Sequence, residues 1–524
     1  DKGYSTHASF FDYDGDGDLD CFVLNNSFKT PDRIELYSQA REGIDEMGGD
    51  RLYRNDAGHF TDVTQQAGIY SSAIGFGLGV SVSDVNGDMW PDIYISNDFW
   101  ERDYLYINQG NGTFSEELTR RISLTSVSSM GADIADINND GLPEIFSTDM
   151  LAADNYRLKT MTAFDPYHLE DLKYRSNYHY QILQNCLQYN RGDGSFQEIG
   201  NLSGISATDW SWGALIFDFD NDGWKDIYVC NGIYRDIMYL DFTSFLKDQA
   251  SVKKVVTEKG RFDFRDFVPY IPSNKLANYA FVNQRDLTFS SQAAHLGLGE
   301  PSFSNGAAYG DLDNDGDYDI VVNNENMPSF VYQNHSESLT GHHNLPVRFE
   351  GPALNPDAVG AQVEIRCAGQ RQVLQHYPSR GFESAVAPGL LFGTGNATHI
   401  DTLRVIWPDR RSQTLTRIEA DKPLTLKYSD AKETWSPARK TEQSLLVSAP
   451  ELLKGPARHT ENNFNDFNTE ILLPRALSTE GPRLITGDIN GDKLEDFILP
   501  GARNDPDKLF LQQPDGTFLG SVPA

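Results

Sequence analysis

Cysteine is scarce in this 524-residue chain. There are four, at Cys21, Cys186, Cys230 and Cys367, far apart, with no CxxC and no His-rich neighbour. That spacing gives a zinc site no support. Cys21 and Cys230 lie in the apolar runs DCFVL and IYVCN and read as buried free thiols. Basic residues are also few: 44 Lys and Arg stand against 76 Asp and Glu, a formal net charge of −32. A nucleic-acid surface needs clustered Lys and Arg, so no nucleic-acid partner is expected, and an anionic membrane surface is disfavoured for the same reason. No run of 18 apolar residues occurs, so the chain holds no transmembrane helix. The opening DKGYSTHASFF lacks the basic and apolar regions of a signal peptide; either there is none or the chain begins downstream of one. Catalytic signatures are missing too. GxSxG, HExxH, GxxxxGK[ST] and a GxGxxG that opens a helix do not occur, and the GFGLG at Gly75–Gly79 precedes a strand. The 11 histidines scatter, and the pair His342–His343 reads as solvated linker at a domain junction.

Apolar residues (39%) and aromatic ones (12%) suffice to bury a core, which rules out wholesale disorder. The acidic excess is concentrated in one nonamer that occurs six times. It reads DYDGDGDLD at Asp12–Asp20, DVNGDMWPD at Asp84–Asp92 and DINNDGLPE at Asp136–Glu144. It returns as DFDNDGWKD at Asp218–Asp226, DLDNDGDYD at Asp311–Asp319 and DINGDKLED at Asp488–Asp496. Positions 1, 3, 5 and 9 always carry a side-chain oxygen. They are Asp12, Asp14, Asp16 and Asp20; Asp84, Asn86, Asp88 and Asp92; Asp136, Asn138, Asp140 and Glu144. The remaining sets are Asp218, Asp220, Asp222 and Asp226; Asp311, Asp313, Asp315 and Asp319; Asp488, Asn490, Asp492 and Asp496. Alternating oxygens on a tight turn converge on one point, which suits a hard cation with six to eight oxygen ligands, Ca²⁺ above all. About one Ca²⁺ per loop, up to six, is expected. Glycine at position 6 would supply a backbone with positive φ, but Met89 and Lys493 stand there in the second and sixth copies. An EF-hand would need a Glu at position 12 and flanking helices. Position 12 is Val23, Ile95, Ser147, Val229, Val322 and Leu499, and the flanks GVSVSD and DIYISN are strand-like. These are metal loops between antiparallel strands. Acidic turns that only solvate hairpin ends would not repeat one ligand spacing six times.

A hairpin follows each of the first five loops, at Arg51–Ile69, Tyr104–Leu118, Cys186–Ile205 and Tyr279–Leu298, and cut short at Phe330–Ser336. One unit is therefore strand, loop, strand, connection, strand, turn, strand, and a repeated four-stranded meander predicts propeller blades. The first-Asp spacings of 72, 52, 82 and 93 residues place the length variation in the second connection.

The units resemble FG-GAP or VCBS repeats, the calcium-binding blades of integrin α-subunit propellers. Leu345–Tyr428 resembles the ASPIC/UnbV domain through VGAQVEIRCAGQRQ, SRGFES, LLFGTG and VIWPDRRSQTL. The combination is similar to cartilage acidic protein. The phrases YSTHASFFDYDGDGDLD, GADIADINNDGLPEIFSTDML and TDWSWGALIFDFDNDGWKDIYVCNGI are most similar to the large bacterial surface VCBS proteins. The resemblance implies an all-β, calcium-binding, seven-bladed propeller. Five blade starts precede the ASPIC-like segment, so two blades are expected upstream, and the sixth loop would begin a second propeller. It further implies a lipid-anchored protein on the extracellular face of a bacterial outer membrane, or a secreted one. SusC/SusD-like components of a TonB-dependent nutrient importer are the partners it implies.

The expected organisation is blades over 1–340, with insertions at 25–50, 149–180 and 232–275, then a sandwich-like β-domain over 341–428. A linker over 429–455 and the first blade of a second propeller over 456–524 follow. Up-and-down strands put the loops on one face and the insertions on the other. The insertion face collects Asp98, Trp100, Arg102, Asp103, Asp149, Trp210, Trp212, Arg235 and Asp236 as candidates for contact with a glycan, a peptide or a partner protein. Blade-to-blade packing is the competing and favoured reading of Trp210 and Trp212, and salt bridges with neighbouring Asp that of Arg102 and Arg235. A glycosidase would need two carboxyls about 5–10 Å apart. Asp98, Asp103 and Asp149 are the carboxylates placed to supply them, and nothing in the sequence singles them out. The expectation is a non-catalytic binding or scaffold protein. A polysaccharide lyase or hydrolase, and a purely architectural subunit, are the alternatives.

Overall fold

The computed structural model describes residues 2–28, 40–163, 165–259, 261, 263–437, 446–455, 457–470, 473 and 476–522. The chain forms two compact units, Asp1–Pro437 and Ala438–Ala524. Most ordered elements are strands, and the fold is all-β. The metal-loop repeat of the sequence becomes a repeat of antiparallel meanders. Blade one consists of Ser5–Phe11, Asp20–Asn25, Arg51–Asp56 and His59–Asp62. Blade two consists of Gly77–Ser83, Asp92–Asn97, Tyr104–Asn108 and Phe114–Glu116. Blade three consists of Ala132–Ala135, Glu144–Ser147, Cys186–Asn190 and Phe196–Glu198. Blade four consists of Ser211–Phe217, Asp226–Asn231, Tyr279–Asn283 and Phe289–Ser291. Blade five has three strands, Ser304–Gly310, Asp319–Asn324 and Phe330–Tyr332.

The second strands of the inner blades are covered on both faces. All six residues of Asp92–Asn97 and of Asp226–Asn231 are buried. The cores lie between blades. Phe22 and Leu24 pack with Val80, Ile93 and Tyr104 of the next blade. Ile134 and Ile145 meet Leu105 and Ile107, Phe146 and Leu187 meet Ile216 and Ile227, and Leu215 and Tyr228 meet Ile320 and Val322. Each such side chain contributes about 1.5–3 kcal/mol of burial. A one-residue slip would turn the whole set to the wrong face. All four cysteines are buried free thiols.

The insertions of blades three and four carry helices. Asn155–Met161 starts on Asp154, whose side chain accepts from Arg157 N. Tyr167–Arg175, Leu240–Lys247 and Gln249–Lys259 follow, the last two closing over Phe242, Val255, Phe267 and Ile271. Residues 29–39 of the first insertion lie outside the described residues.

After the short helix Ser336–Leu339 comes a two-sheet domain. One sheet has the order Leu390–Gly395, His343–Glu350, Leu424–Lys427. The other has the order Gln370–Gln375, Gln362–Cys367, His399–Ile406, Arg411–Glu419, Glu433–Thr434. Leu345, Val363, Ile365, Phe392, Leu403 and Trp407 fill the space between them, which makes it a sandwich. Its last strand, Glu433–Thr434, extends past 428 into the stretch read as linker.

This domain sends a hairpin, Ser379–Arg380 paired with Ser384–Ala385, among the first strands of the blades. Gly381 N donates to Ala132 O (3.1 Å), and Ala387 N donates to Tyr309 O (3.1 Å). Ser379 Oγ donates to Ala8 O (3.3 Å), and the Phe382 ring packs on Trp212 at 5.0 Å. The strands leave room because four of them carry glycine five residues before the metal loop: Gly79, Gly131, Gly213 and Gly306. A Cβ on Gly131 would stand 2.8 Å from Trp212 O and 3.1 Å from Gly381 O. In the second unit, Ile485–Gly487, Asp496–Leu499, Lys508–Gln512 and Phe518–Ser521 form the same meander, and Leu453–Lys454 lies parallel to the last strand.

Candidate functional site

Each metal loop is shaped by its first and last carboxylates. In loop one, Asp12 Oδ1 accepts from Gly15 N (2.7 Å) and Oδ2 from Gly17 N (3.1 Å). Asp20 Oδ2 accepts from Tyr13 N (2.9 Å) and Oδ1 from Asn55 N of the third strand (2.8 Å). The pattern repeats: Asp84 takes Gly87 N and Met89 N, Asp136 takes Asp140 N and Gly141 N. Asp218 takes Asp222 N and Gly223 N, Asp311 takes Asp315 N and Gly316 N, and Asp488 takes Asp492 N and Lys493 N. At position 9, Asp92, Glu144, Asp226, Asp319 and Asp496 accept from the second loop residue. The two departures from glycine at position 6 leave the shape unchanged: Met89 (φ 66°) and Lys493 (φ 73°) adopt the left-handed backbone that Gly17, Gly141, Gly223 and Gly316 adopt elsewhere.

These residues fit a calcium ion. Asp12, Asp14 and Asp20, then Asp218, Asp220 and Asp226, then Asp311, Asp313 and Asp315 each bring three ligand oxygens within 4.8 Å of one another. Oxygens on one Ca²⁺ stand at most about 5 Å apart. In loops two, three and six, Asn86, Asn138 and Asn490 replace one carboxylate at position 3. Asn138 Nδ2 donates to Asp140 Oδ2 (3.0 Å) and Asn490 Nδ2 to Asp492 Oδ2 (2.8 Å). Burial, with neighbouring carboxylates adding to it, pushes Asp12 and Asp84 up to about 6 and Asp20 and Asp218 up to about 8. Burial pushes Asp92, Asp226 and Glu144 well above the usual carboxylate range. A bound cation offsets both causes.

A residue that sequence reasoning did not single out stitches the loops together. The asparagine ending the third strand recurs as Asn55, Asn108, Asn190, Asn283 and Asn334. From blade two onward its Nδ2 donates to the second carbonyl of the preceding blade's loop: Asn108 to Tyr13, Asn190 to Val85, Asn283 to Ile137, Asn334 to Phe219, at 2.8–2.9 Å. The signal was its recurrence in LYRN, LYIN, LQYN, AFVN and VYQN. The sandwich domain grips the same loops. Gln375 Nε2 donates to Asp84 O (2.9 Å), Arg371 Nη1 to Asp140 O (2.6 Å) and Arg410 Nη2 to Asp88 O (2.9 Å), while His342 Nδ1 meets Asp220 O at 2.7 Å.

At the other ends of the strands, most of the nine insertion-face candidates hold the scaffold. Asp103 accepts from Tyr94 Oη, Asn97 N and Ser129 Oγ. Asp149 accepts from Ser126 Oγ, Val127 N and Met150 N. Arg102 pairs with Glu116 (2.7 Å), and Asp236 takes Arg157 and Asn274. Arg235 donates to Ile271 O and stands over the Tyr234 ring, and Trp212 Nε1 donates to Gly232 O. Asp98 accepts from Phe99 N (2.7 Å). Burial pushes Asp103 and Asp149 up to about 7 and Asp98 to about 6.

Trp100 and Trp210 instead line a cavity of about 370 Å³, with Phe99, Met150, Met161, Gln181 and Lys173. Lys173, 1% exposed, places Nζ 2.6 Å from Asp165, 3.0 Å from Glu170 and 5.5 Å from the Trp100 ring centre. Asp209, also in the wall, is paired with Arg157. Two enclosed groups in this wall have no hydrogen-bond partner among the described residues: Trp210 Nε1, a donor, and Gln181 Oε1, an acceptor. Met161 and Lys173 come from insertion helices without an internal repeat, so no pattern in the sequence marked them.

A family model described as FG-GAP-like repeat matches residues 12–95, 84–147 and 179–229, and one described as ASPIC and UnbV matches 351–433. No curated protein matches the chain. Among solved structures, an Agrocybe aegerita lectin recognising non-reducing terminal N-acetylglucosamine is 13% identical, with 63% of this chain and 81% of that one covered, at a TM-score of 0.26. The V. cholerae biofilm matrix protein Bap1 is 11% identical, with 100% and 80% covered, at 0.22. The exotype rhamnogalacturonan lyase YesX is 13% identical, with 63% and 61% covered, at 0.23. Likeness this distant carries no argument about function. With the family matches falling on the metal-loop meanders and on the sandwich, the chain is a protein of FG-GAP-like repeats joined to an ASPIC and UnbV domain.

Proposed function

We propose that this chain is a non-catalytic, calcium-stabilised surface-binding protein that seats a glycan in the cavity bounded by Trp100 and Trp210. The observation that carries the reading is the pair of unsatisfied groups between aromatic walls, Trp210 Nε1 and Gln181 Oε1. Both atoms are enclosed in the wall; if the wall opens around a ligand, a sugar hydroxyl could accept from the one and donate to the other, while the C–H face of the ring lies on an indole. The charges in the wall are paired, Lys173 with Asp165 and Glu170 of the same wall and Asp209 with Arg157 outside it, which favours an uncharged ligand over a strongly charged one. Ca²⁺ in the six loops, up to one each, would hold the strand ends. Placement on the extracellular side of an outer membrane, beside SusC/SusD-like importer subunits, belongs to the same proposal and rests on family resemblance.

Titration calorimetry against a panel of neutral glycans tests it. Wild type should bind at least one of them, and Trp210→Phe, which keeps the ring and removes the donor, should weaken that binding about tenfold, close to one hydrogen bond in a desolvated site. Equal affinity for the two proteins would overturn the assignment of the cavity. Product release on the panel, abolished by Asp98→Asn or Asp149→Asn, would replace binding by catalysis.

A further inference from the structure

The cavity bounded by Trp100 and Trp210 has a neighbour. A second cavity, of about 490 Å³, adjoins it, and Asp209 stands in the wall of both. Asp209 adopts a left-handed backbone (φ 76°), uncommon for a residue with a Cβ, and its side chain grips Arg157. The helix Asn155–Met161 borders both cavities as well: Met161 lines the first and Arg157 the second. Residues i and i+4 share one helix face, so the two positions lie about 6 Å apart along it. Blade four joins the cavities a third time. Gly232 N donates to Trp210 O (2.9 Å), and the residues beside them, Ser211 and Asn231, are paired across the first two strands. Trp210 lines the first cavity and Asn231 the second.

The second wall repeats the chemistry of the first. Asn231 is 1% exposed; its Nδ2 donates to Ala277 O (3.2 Å), and its Oδ1 is enclosed without a hydrogen-bond partner among the described residues, as Gln181 Oε1 is next door. Tyr279, half-buried at the start of the third strand, supplies the aromatic ring. Arg157 is the one guanidinium or ammonium among the described residues of this wall. It is engaged by Asp209 and by Asp236 (3.2 Å), so it is not left to capture a carboxylate, sulfate or phosphate.

We propose that the two cavities are consecutive subsites of one cleft, and that the glycan is a neutral oligosaccharide with one unit on Trp210 and a later unit on Tyr279. The chain crosses the Asp209–Arg157 pair between them. This rests on the glycan reading of the first cavity and deepens it from a sugar to a chain. Asn231 Oδ1 takes a hydroxyl only as the wall gives, whereas the Tyr279 ring needs no such opening.

Titration calorimetry of the full chain with cello-, malto-, manno- and xylo-oligosaccharides of one to six units tests the second subsite. In the series that binds, affinity should rise about tenfold from the shortest bound member to members one or two units longer, the gain of one further bonded and stacked ring, and then level off. Tyr279→Leu should abolish that rise and leave the shortest member's affinity unchanged. Ala153→Trp, a bulky side chain on an exposed wall residue outside the strands, should do the same without touching the core. Trp210→Phe should weaken every member alike. Affinity independent of length, with the Trp210 effect intact, would overturn the second subsite and leave the first cavity standing. A rise with length that survives in both variants would send the chain elsewhere and overturn it too, as would an equal loss for short and long members in both. If wild type bound no member of any series, the glycan reading and this extension of it would fall together.

Discussion

Two histidines at the junction of blades and sandwich are kept neutral mainly by burial. Gly389 N donates to His376 Nε2 (3.0 Å), so Nδ1 carries the proton that faces Ala358 O (3.2 Å). Val80 N donates to His7 Nδ1 (3.4 Å), and His7 Nε2 faces Ser384 O (3.3 Å). Burial lowers both pKa values below 6.5. The unfolded chain therefore binds more protons just below pH 6.5 than the folded one does, and the stability present above that value is lost as pH falls through the folded values. Each histidine adds a slope of up to about 1.4 kcal/mol per pH unit in that window. Between pH 7 and pH 5 the raised carboxyls Asp103 and Asp149 contribute with the opposite sign, so the histidine share is read as a difference: in denaturant melts His376→Gln should lose less stability than wild type as pH falls through this window. At this scale the sequence was legible where a residue type repeats at a fixed spacing. The loop carboxylates were read from the spacing alone, and Met89 and Lys493, which broke the glycine pattern, were held to the same backbone by the Asp84 and Asp488 carboxylates. His7 was illegible because its partners, Val80 and Ser384, lie 73 and 377 residues away.

The strand, the loop and the hairpin were predictable because a meander is local: its hydrogen bonds and alternation close within one repeat. What joins one repeat to the next was not. Asn283 Nδ2 reaches Ile137 O of the preceding blade and Lys225 O of its own, both at 2.9 Å. Asn283→Ala would leave two buried carbonyls short of a donor and should cost about 1–3 kcal/mol. Chemical denaturation of the variant checks this, and the loss should persist in saturating Ca²⁺, since the bond is between blades and not to the ion. Calcium in the loops would act by mass action, adding about 1.4 kcal/mol per site at ten times its dissociation constant. The sequence placed the helices of the last two insertions only within the bounds 149–180 and 232–275. The cavity they complete was not foreseen, because single-copy segments offer no second copy to compare.

The arrangement of the first unit turns on one buried ion pair. Arg380, from the SRGFES stretch, places Nη1 2.8 Å from Asp133 of blade three, and both side chains are largely buried. Arg380→Ala should cost about 3–5 kcal/mol by stranding a buried carboxylate, while the double change Arg380→Met with Asp133→Leu should recover most of it. Urea melts of the three proteins read the difference. The stretch was legible as a family mark but not as the element that enters the blades, since its contacts with Ala8, Ala132 and Tyr309 span most of the chain. That threading carries a consequence for biosynthesis. Strand Ser5–Phe11 meets the hairpin only after some 370 further residues have been made, a wait of roughly 20–75 s at ribosomal speed. Until then Gly131, Gly213 and Gly306 have no hairpin packed against them, so full resistance of the blades to proteolysis should appear only after the hairpin has been made.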